Sequence, residues 1–317
     1  MLMYGRCVSI NALLFVVLTS WATLALAKDC VGVVAAGAEP FWLQVEGGAR
    51  QAAKEQGLDL YFRGPRREGR VATQLQMIDW MLERGCKALV IAPSGDEIAV
   101  RVRQLAANGV ISIYFDRNLP GSAVRGVVAT DNVLAGVQAG QALAAALGGR
   151  GQVALLRLQA GVPSTSEREH GFRQGAEAGG LSILVDVYIG DDSQAAVDAL
   201  HDQLPQLKGV FTPNSNSTRA ALAALRRLGQ AGQLVHVGFD ADDLLIDALR
   251  KGEIHSLMVQ QPHAIGYQAV QLAAQGLRGE LPLQPVNVVL QVKQVSRANL
   301  AQWQRAQALE LDRSASP

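Results

Sequence analysis

The stretch "CVGVVAAGAEPFW", residues 30–42, decides how this chain is interpreted. It begins as an apolar run, turns to small residues and ends in two adjacent aromatic side chains, Phe41 and Trp42, which follow Glu39 and Pro40. Aromatic residues make up only 5% of the sequence, so a pair of them at the end of a predicted strand needs a physical reason. Such a strand-to-helix boundary is where open α/β sheets place their binding residues.

A short apolar run followed by a segment of helical period repeats along the chain. In one such segment, apolar residues recur at helical spacing at Val71, Leu75, Ile78 and Leu82. Glycines stand where helices are expected to end, at Gly57, Gly85 and Gly109. This alternation predicts an α/β fold with parallel sheets covered by helices on both faces. Ten runs are too many for one ordinary sheet, so we expect two doubly wound lobes.

The charge balance argues against two classes of partner. Lys and Arg number 29 against 28 Asp and Glu, which gives a formal net charge of +1. A protein that binds nucleic acid needs a basic excess or patch, and docking to an anionic membrane needs the same.

The N-terminus has the pattern of a secretory signal. Arg6 precedes the apolar stretch "ALLFVVLTSWATLALA", which ends in the small-x-small pattern of a cleavage site. We expect residues 1–27 to be a signal peptide, cleaved after Ala27, and the mature protein to lie in the periplasm. The alternative is a retained membrane anchor, for which the apolar run is short.

Two cysteines, Cys30 and Cys86, each stand just before an apolar run. If those runs are neighbouring parallel strands, both cysteines lie at the same edge of the sheet. A disulfide is then possible, provided the Cα atoms are about 4.4–6.8 Å apart. The alternative is two buried thiols.

The residues that follow the predicted strands combine aromatic rings with carboxylates, amides and guanidinium groups. Together with Arg168, at the start of a predicted helix, they are Glu39, Phe41, Trp42, Asp116, Arg117, Asn214, Asp240, Gln260 and Gln261. Sugars match this set, because their C–H faces pack on aromatic rings and their hydroxyl groups both donate and accept hydrogen bonds. Charged partners strengthen those bonds. The sequence therefore predicts a sugar site at the carboxyl ends of the strands.

Each residue also has a simpler explanation. Asp116 and Asn214 are suited to cap the helices that follow them. Phe41 could be a core residue, and Arg168 could pair with a neighbouring acid at the surface. The hypothesis therefore depends on the whole set at equivalent positions.

The chain resembles the periplasmic sugar-binding proteins of the ribose-binding type, which are type I solute-binding proteins. The segments that carry the resemblance cover nearly all of the mature chain and include "VGVVAAGAEPFW", "FDRN", "VVATDNVLAG", "SEREHGFRQG", "VFTPNSNSTRAALAAL", "VGFD" and "VQQPHAIGYQA". The resemblance implies an aromatic pair at Phe41 and Trp42 and an Asp-Arg clamp at Asp116 and Arg117. The remaining polar contacts that it implies are Arg168, Asn214, Asp240 and Gln260.

Three departures from the ribose-type pattern concern the ligand. Glu39 and Ala92 each stand where ribose binders have Asn, and the residue near Asp191 stands where an aromatic is usual. We therefore expect a sugar other than ribose, a polyol, or a ligand that carries an amine.

The resemblance also implies an architecture and a role. Three hinge strands should cross between the lobes near Thr130, Gln261 and Val289, and the ligand should favour closure. The implied role is capture of a monosaccharide or polyol for the permease of an ABC transporter. The alternative is a sensory protein that presents its ligand to a histidine kinase or chemoreceptor. We expect a monomer without cofactor or metal. The predicted ranges are 28–129 plus 262–289 for the N-terminal lobe and 130–261 plus 290–317 for the C-terminal lobe.

The sequence offers little support for an enzyme or a transcription regulator. It has no G-x-S-x-G, Walker or complete G-x-G-x-x-G motif, and its five histidines lack metal-ligand spacing. A regulator would need a DNA-binding head where this chain has the predicted signal peptide.

Overall fold

The computed structural model describes residues 28–121 and 123–315, with side chains up to residue 309. The predicted signal peptide, residues 1–27, lies outside the described residues. Among the helices of the described part, none combines the length and the hydropathy needed to span a membrane.

The described strands form two six-stranded sheets. The first sheet, from edge to edge, contains β11 (Val286–Leu290), β5 (Gly126–Thr130), β4 (Ile111–Phe115), β3 (Ala88–Ile91), β1 (Cys30–Val34) and β2 (Asp59–Arg63). The second contains β12 (Lys293–Ser296), β10 (Ser256–Val259), β9 (Val235–Phe239), β8 (Leu207–Phe211), β6 (Gly151–Arg157) and β7 (Leu181–Tyr188). Every residue of the inner strands β1 and β3 is buried, as expected for strands covered on both faces.

Helices cover both sheets. They are α1 (Pro40–Gln56), α2 (Val71–Glu83), α3 (Asp96–Ala107), α4 (Asn132–Ala146), α5 (Pro163–Ala178), α6 (Ser193–His201), α7 (Ser215–Arg227), α8 (Asp243–Lys251), α9 (Pro262–Leu277) and α10 (Leu300–Ala315). We call the first sheet with α1, α2, α3 and α9 the first lobe, and the second sheet with the other helices the second lobe. The predicted α/β fold with two lobes is confirmed.

The predicted helical segment from Val71 corresponds to α2. Its most deeply buried side chains are Gln74, Ile78 and Met81, and the other predicted apolar positions pack partly buried against the same core. Gln74 is a polar residue in this face because its amide has partners: it donates to the carbonyls of Ala35 and Ala92, at 2.9 and 2.7 Å. The helix thereby holds the ends of β1 and β3 in register.

The chain passes between the sheets three times, after β5, after β10 and after β11. The predicted hinge positions lie at these passages: Thr130 ends β5, Gln261 follows β10 and Val289 lies in β11. The exact lobe boundaries given by the sequence remain predictions.

The expectation of purely parallel sheets was wrong for one strand, because β12 pairs antiparallel with β10. Only two residues, 291 and 292, separate β11 from β12. The chain therefore passes directly from the edge strand of the first sheet to the edge strand of the second, without the long crossover that a parallel pair needs. Neither β11 nor β12 was among the ten apolar runs, since both lie at sheet edges and are partly exposed, although the resemblance implied a hinge strand near Val289.

Close contacts at glycines position the two helices that matter most for the cleft described below. A Cβ at Gly136 of α4 would lie 2.1 Å from the carbonyl oxygen of Arg168 on α5. In the other lobe, a Cβ at Gly48 of α1 would lie 1.9 Å from the carbonyl oxygen of His263 on α9. Both helix pairs pack backbone to backbone, so α5 and α1 are held against their sheets at fixed positions.

Candidate functional site

One cleft between the two lobes contains all of the predicted binding residues except Gln261. It is lined by Glu39, Phe41, Trp42, Asp116, Arg117, Arg168, Asn214, Asp240 and Gln260, together with Glu68, Ser164, Thr165 and Ser215. Gln261 is not among the lining residues, and its side chain instead donates to the carbonyl of Gln291 at 2.8 Å. Ala92 and Asp191 are also absent from the lining.

Asp116 and Asp240 occupy equivalent positions in the two lobes. Asp116 follows β4 and Asp240 follows β9, with φ angles of 61° and 67°, and they are the two non-glycine residues with positive φ in the described chain. Each backbone N–H donates to a neighbouring strand at 2.9 Å, to Val128 O and to Met258 O respectively. Aspartate tolerates the left-handed conformation better than most residues, and such backbone strain is concentrated at functional sites.

The aromatic pair lies at the first turn of α1, where Pro40 suits the start of the helix. The rings of Phe41 and Trp42 meet edge to face with centroids 4.9 Å apart, and Trp42 meets Phe115 in the same way at 5.9 Å. Trp42 is 3% exposed, so it is part of the core as well as of the cleft wall. Phe41 is less buried, and therefore offers the more accessible ring.

Arg117 has an ionic partner that the sequence analysis missed. Its guanidinium donates to Glu68 Oε2 at 2.5 Å, and its Nε lies 3.2 Å from Asp116 Oδ2. Glu68 lies in the loop between β2 and α2 and is 13% exposed. This loop also follows a strand, so the rule used for the other residues could have found Glu68 had it been extended five residues beyond the strand end.

The second lobe contributes a hydrogen-bond network centred on Arg168, which is 2% exposed. Its three guanidinium nitrogens donate to Asn132 Oδ1, Pro213 O and Gln260 Oε1 at 2.9, 3.0 and 2.7 Å. The group also lies 4.0 Å from the centroid of the Phe239 ring. The alternative of a surface ion pair for Arg168 is therefore wrong.

Asp240 is held by two uncharged donors. Its Oδ1 accepts from Gln260 Nε2 at 2.7 Å and its Oδ2 accepts from the backbone N–H of Ser215 at 3.0 Å. Gln260 in turn accepts from Thr130 Oγ1 at 2.7 Å. The wall formed by the second lobe is thus assembled from groups that already satisfy one another.

Both aspartates resist ionisation because they are buried. Desolvation raises the pKa of Asp116 to about 6, although the guanidinium groups of Arg117 and Arg168 act in the opposite direction. Desolvation also raises the pKa of Asp240, against the opposing effects of Arg168 and the hydrogen bond from Gln260. A hydrogen-bond donor that enters the cleft therefore stabilises the ionised form of either carboxylate.

Comparison with known proteins decides the family. The model of the periplasmic binding protein domain matches residues 31–281. The chain belongs to the periplasmic binding protein family. It is of the ribose-binding type, because it is 29% identical over 277 residues to the ribose import binding protein of Salmonella typhimurium, covering 85% of this chain and 93% of that relative.

Solved structures agree with this family. The periplasmic component of an ABC-type sugar transport system from Hahella chejuensis has a TM-score of 0.78 and 36% identity, covering 84% of this chain and 99% of that one. A solute-binding protein from Agrobacterium vitis, bound to α-D-tagatopyranose, has a TM-score of 0.80 and 26% identity, covering 86% and 96%. These relatives are sugar-binding proteins of ABC transporters.

Asn214 of this periplasmic binding protein has both of the suggested roles. It caps α7, since its Oδ1 accepts from the backbone N–H and the hydroxyl of Ser217 at 3.1 and 2.7 Å. It also lines the cleft, so capping fixes its orientation there. Ser164 and Thr165 precede Arg168 by one turn on α5, and their helical spacing from it could have identified them.

The cysteine pair lies away from the cleft, at the opposite end of the first sheet of the binding protein. Cys30 and Cys86 are joined by a disulfide, with Cα atoms 4.7 Å apart. Cys30 begins β1 and Cys86 precedes β3, its neighbour in the sheet. Within the described residues, no group of three His, Cys, Asp or Glu side chains is arranged to hold a metal ion.

Proposed function

We propose that this protein captures a monosaccharide or a related polyol in the periplasm by closure of its two lobes, and delivers it to the permease of an ABC transporter. The observation that carries the proposal is the meeting of aromatic rings, guanidinium groups and carboxylates from both lobes in one cleft. Each of these groups binds a different part of a sugar: the rings pack on its C–H faces, and the ionic groups bond its hydroxyls.

Lobe closure follows from the distribution of these groups. The first lobe carries the aromatic pair and Asp116, and the second carries Arg168 and Asp240. Across the cleft, Asn216 Nδ2 of α7 donates to Glu39 Oε1 at 3.3 Å. A ligand that bonds both lobes binds the closed arrangement more tightly than the open one, and therefore shifts the equilibrium towards it.

The transport role is supported by the relatives, one of which is named as a ribose import binding protein and another as the periplasmic component of an ABC-type sugar transport system. In this role the signal peptide 1–27 directs the chain to the periplasm. The mature protein acts there as a monomer that undergoes no covalent chemistry.

A thermal-shift screen of the purified protein against pentoses, hexoses and polyols tests the capture step. A ligand at about one hundred times its Kd stabilises the folded state by about 2.7 kcal/mol, which corresponds to a rise in Tm of roughly 5–10 °C. Asp116→Ala and Asp240→Ala should abolish the rise, whereas Asp79→Ala, outside the cleft and 54% exposed, should retain it. If no sugar or polyol raises Tm while an unrelated solute does, the proposed ligand class is wrong.

Uptake measurements test the delivery step. Deletion of the gene should abolish uptake of the radiolabelled sugar that gives the thermal shift, and restoring the intact gene should recover it. Unchanged uptake in the deletion strain would contradict delivery to a permease.

A further inference from the structure

The cleft has more negative than positive groups. Within the described residues, four carboxylates line it, from Glu39, Glu68, Asp116 and Asp240, against two guanidinium groups, from Arg117 and Arg168. Fully ionised, the lining carries two uncompensated negative charges. Glu167, which hydrogen-bonds Asn132 behind Arg168, adds another carboxylate near the same site.

The two cations are already occupied. Arg117 is paired with Glu68 and lies against Asp116. Arg168 donates to three acceptors of its own lobe and faces Phe239. Neither guanidinium group pairs with Glu39, and no cation of the described residues forms a salt bridge with it.

Glu39 also holds an unused acceptor. Its Oε1 accepts the hydrogen bond from Asn216, while its Oε2 is buried and has no partner. The carboxylate lies over Gly37, where a Cβ would come within 2.1 Å of Oε2. A buried carboxylate oxygen without a donor is costly, and a charged donor compensates it better than a neutral hydroxyl does.

We propose that the preferred ligand carries an ammonium group, as an amino sugar or an amino polyol does, and that this group binds Glu39 Oε2. The inference rests on the proposed function, because it refines the ligand of the same cleft. The hydroxyls of the ligand bond the aspartate and arginine side chains, and its ammonium removes one of the two uncompensated negative charges.

Matched pairs of ligands test this inference by isothermal titration calorimetry at pH 7. The pairs are D-glucose with D-glucosamine, D-galactose with D-galactosamine, D-mannose with D-mannosamine, and sorbitol with 1-amino-1-deoxysorbitol. N-acetyl-D-glucosamine has a larger but neutral nitrogen substituent, and so separates charge from size. We expect at least one amino member to bind ten times more tightly than its neutral partner or more, with the N-acetyl compound showing no such gain.

Variants test whether Glu39 is the source of the preference for an amino ligand. In Glu39→Gln the ratio of the two affinities should fall to about one, because the amide keeps the size of the side chain and removes its charge. Glu46→Gln, on the same helix but paired with Arg50 at the surface, should retain the ratio. Far-ultraviolet circular dichroism and Tm establish that both variants are folded.

The outcomes separate this inference from the proposed function. If neutral members bind as tightly as their amino partners or more tightly in every pair, the inference is wrong and the sugar-binding function stands. If the preference persists in Glu39→Gln, Glu39 is not its source and the inference is also wrong. If no member of any pair binds, this inference is wrong, and the sugar-binding function fails with it only where the thermal-shift screen of pentoses, hexoses and polyols is negative too.

Discussion

The two walls of the cleft place an aspartate in the same backbone position but surround it differently. Asp116 of the first lobe lies among ionic groups, beside Arg117 and Glu68, and near it Glu39 retains an acceptor without a partner. Asp240 of the second lobe is fixed by the neutral donors Gln260 and Ser215. The second wall is therefore preorganised, whereas the first keeps unused hydrogen-bonding capacity for a ligand. A binding site built this way combines rigid positioning with strong attraction.

The lobes also differ in what stabilises them. Removal of the disulfide from the first lobe should cause the largest change in the free energy of unfolding. The bond between Cys30 and Cys86 closes a loop with a sequence separation of 56. Its loss through Cys30→Ala with Cys86→Ala should lower the free energy of unfolding by about 4 kcal/mol, because the unfolded chain gains loop entropy. Urea denaturation measures this change, and a loss below about 1 kcal/mol would show that packing alone holds the first lobe.

In the second lobe, the corresponding test is Arg168→Met, which keeps the length of the side chain but removes its donors. We expect a loss of about 3 kcal/mol, because Asn132, Pro213 and Gln260 each lose a buried hydrogen bond. Arg173→Met is the matched control on the same helix, and its partly exposed pair with Asp186 should be worth less than about 1 kcal/mol. Equal losses in the two variants would contradict the central role of the Arg168 network.

Replacing each aspartate by asparagine tests the comparison directly. The pKa of Asp116 is raised from 3.8 to about 6, so its ionised form costs the folded state up to about 3 kcal/mol above pH 6, a penalty that disappears as pH falls towards 3.8. Asp116→Asn should therefore stabilise the unliganded protein at pH 7.5 by about 2 kcal/mol. Asp240→Asn should destabilise it by about 1 kcal/mol, because the donor that an amide brings against Ser215 or Gln260 outweighs the relief of the desolvation that raises the pKa of Asp240.

Thermal unfolding measures the stability of both variants. The comparison of the two walls predicts that Asp116→Asn raises the stability and Asp240→Asn lowers it. A loss of stability in Asp116→Asn would mean that its ion pair outweighs desolvation. Both variants should lose affinity for the sugar, so stability and binding change in opposite directions at Asp116 alone.

The last expected effect is the pH dependence of sugar binding. A neutral sugar should bind about ten times more weakly at pH 5 than at pH 7, because Asp116, with a pKa of about 6, becomes protonated and no longer accepts charge-assisted hydrogen bonds. Calorimetric titrations at pH 7, 6 and 5 measure how the affinity changes with pH. Asp116→Asn should give a flatter profile than the unaltered protein, and an equally steep one would assign the titration to another group.

Much of the site could be predicted because parallel strands bring their carboxyl ends to one edge. Asp116, Asn214 and Asp240 directly follow β4, β8 or β9 within three residues, so their strand alone determines their place. Glu68 was missed because its position depends on the course of a loop, and β12 because its direction depends on where the chain enters the second sheet. The question of a disulfide or two thiols at Cys30 and Cys86 also required the tertiary structure.

The sequence by itself determined the alternation of strands and helices and the chemistry available at the strand ends, because both follow from local periodicity and from the direction of each strand. The tertiary structure alone decided which groups neutralise one another. Arg117 is paired with an acid 49 positions away, and Thr130 bonds a Gln260 that lies 130 positions further along the chain. Such pairings depend on how the lobes fold and meet, and they leave Glu39 Oε2 buried without a hydrogen-bond partner.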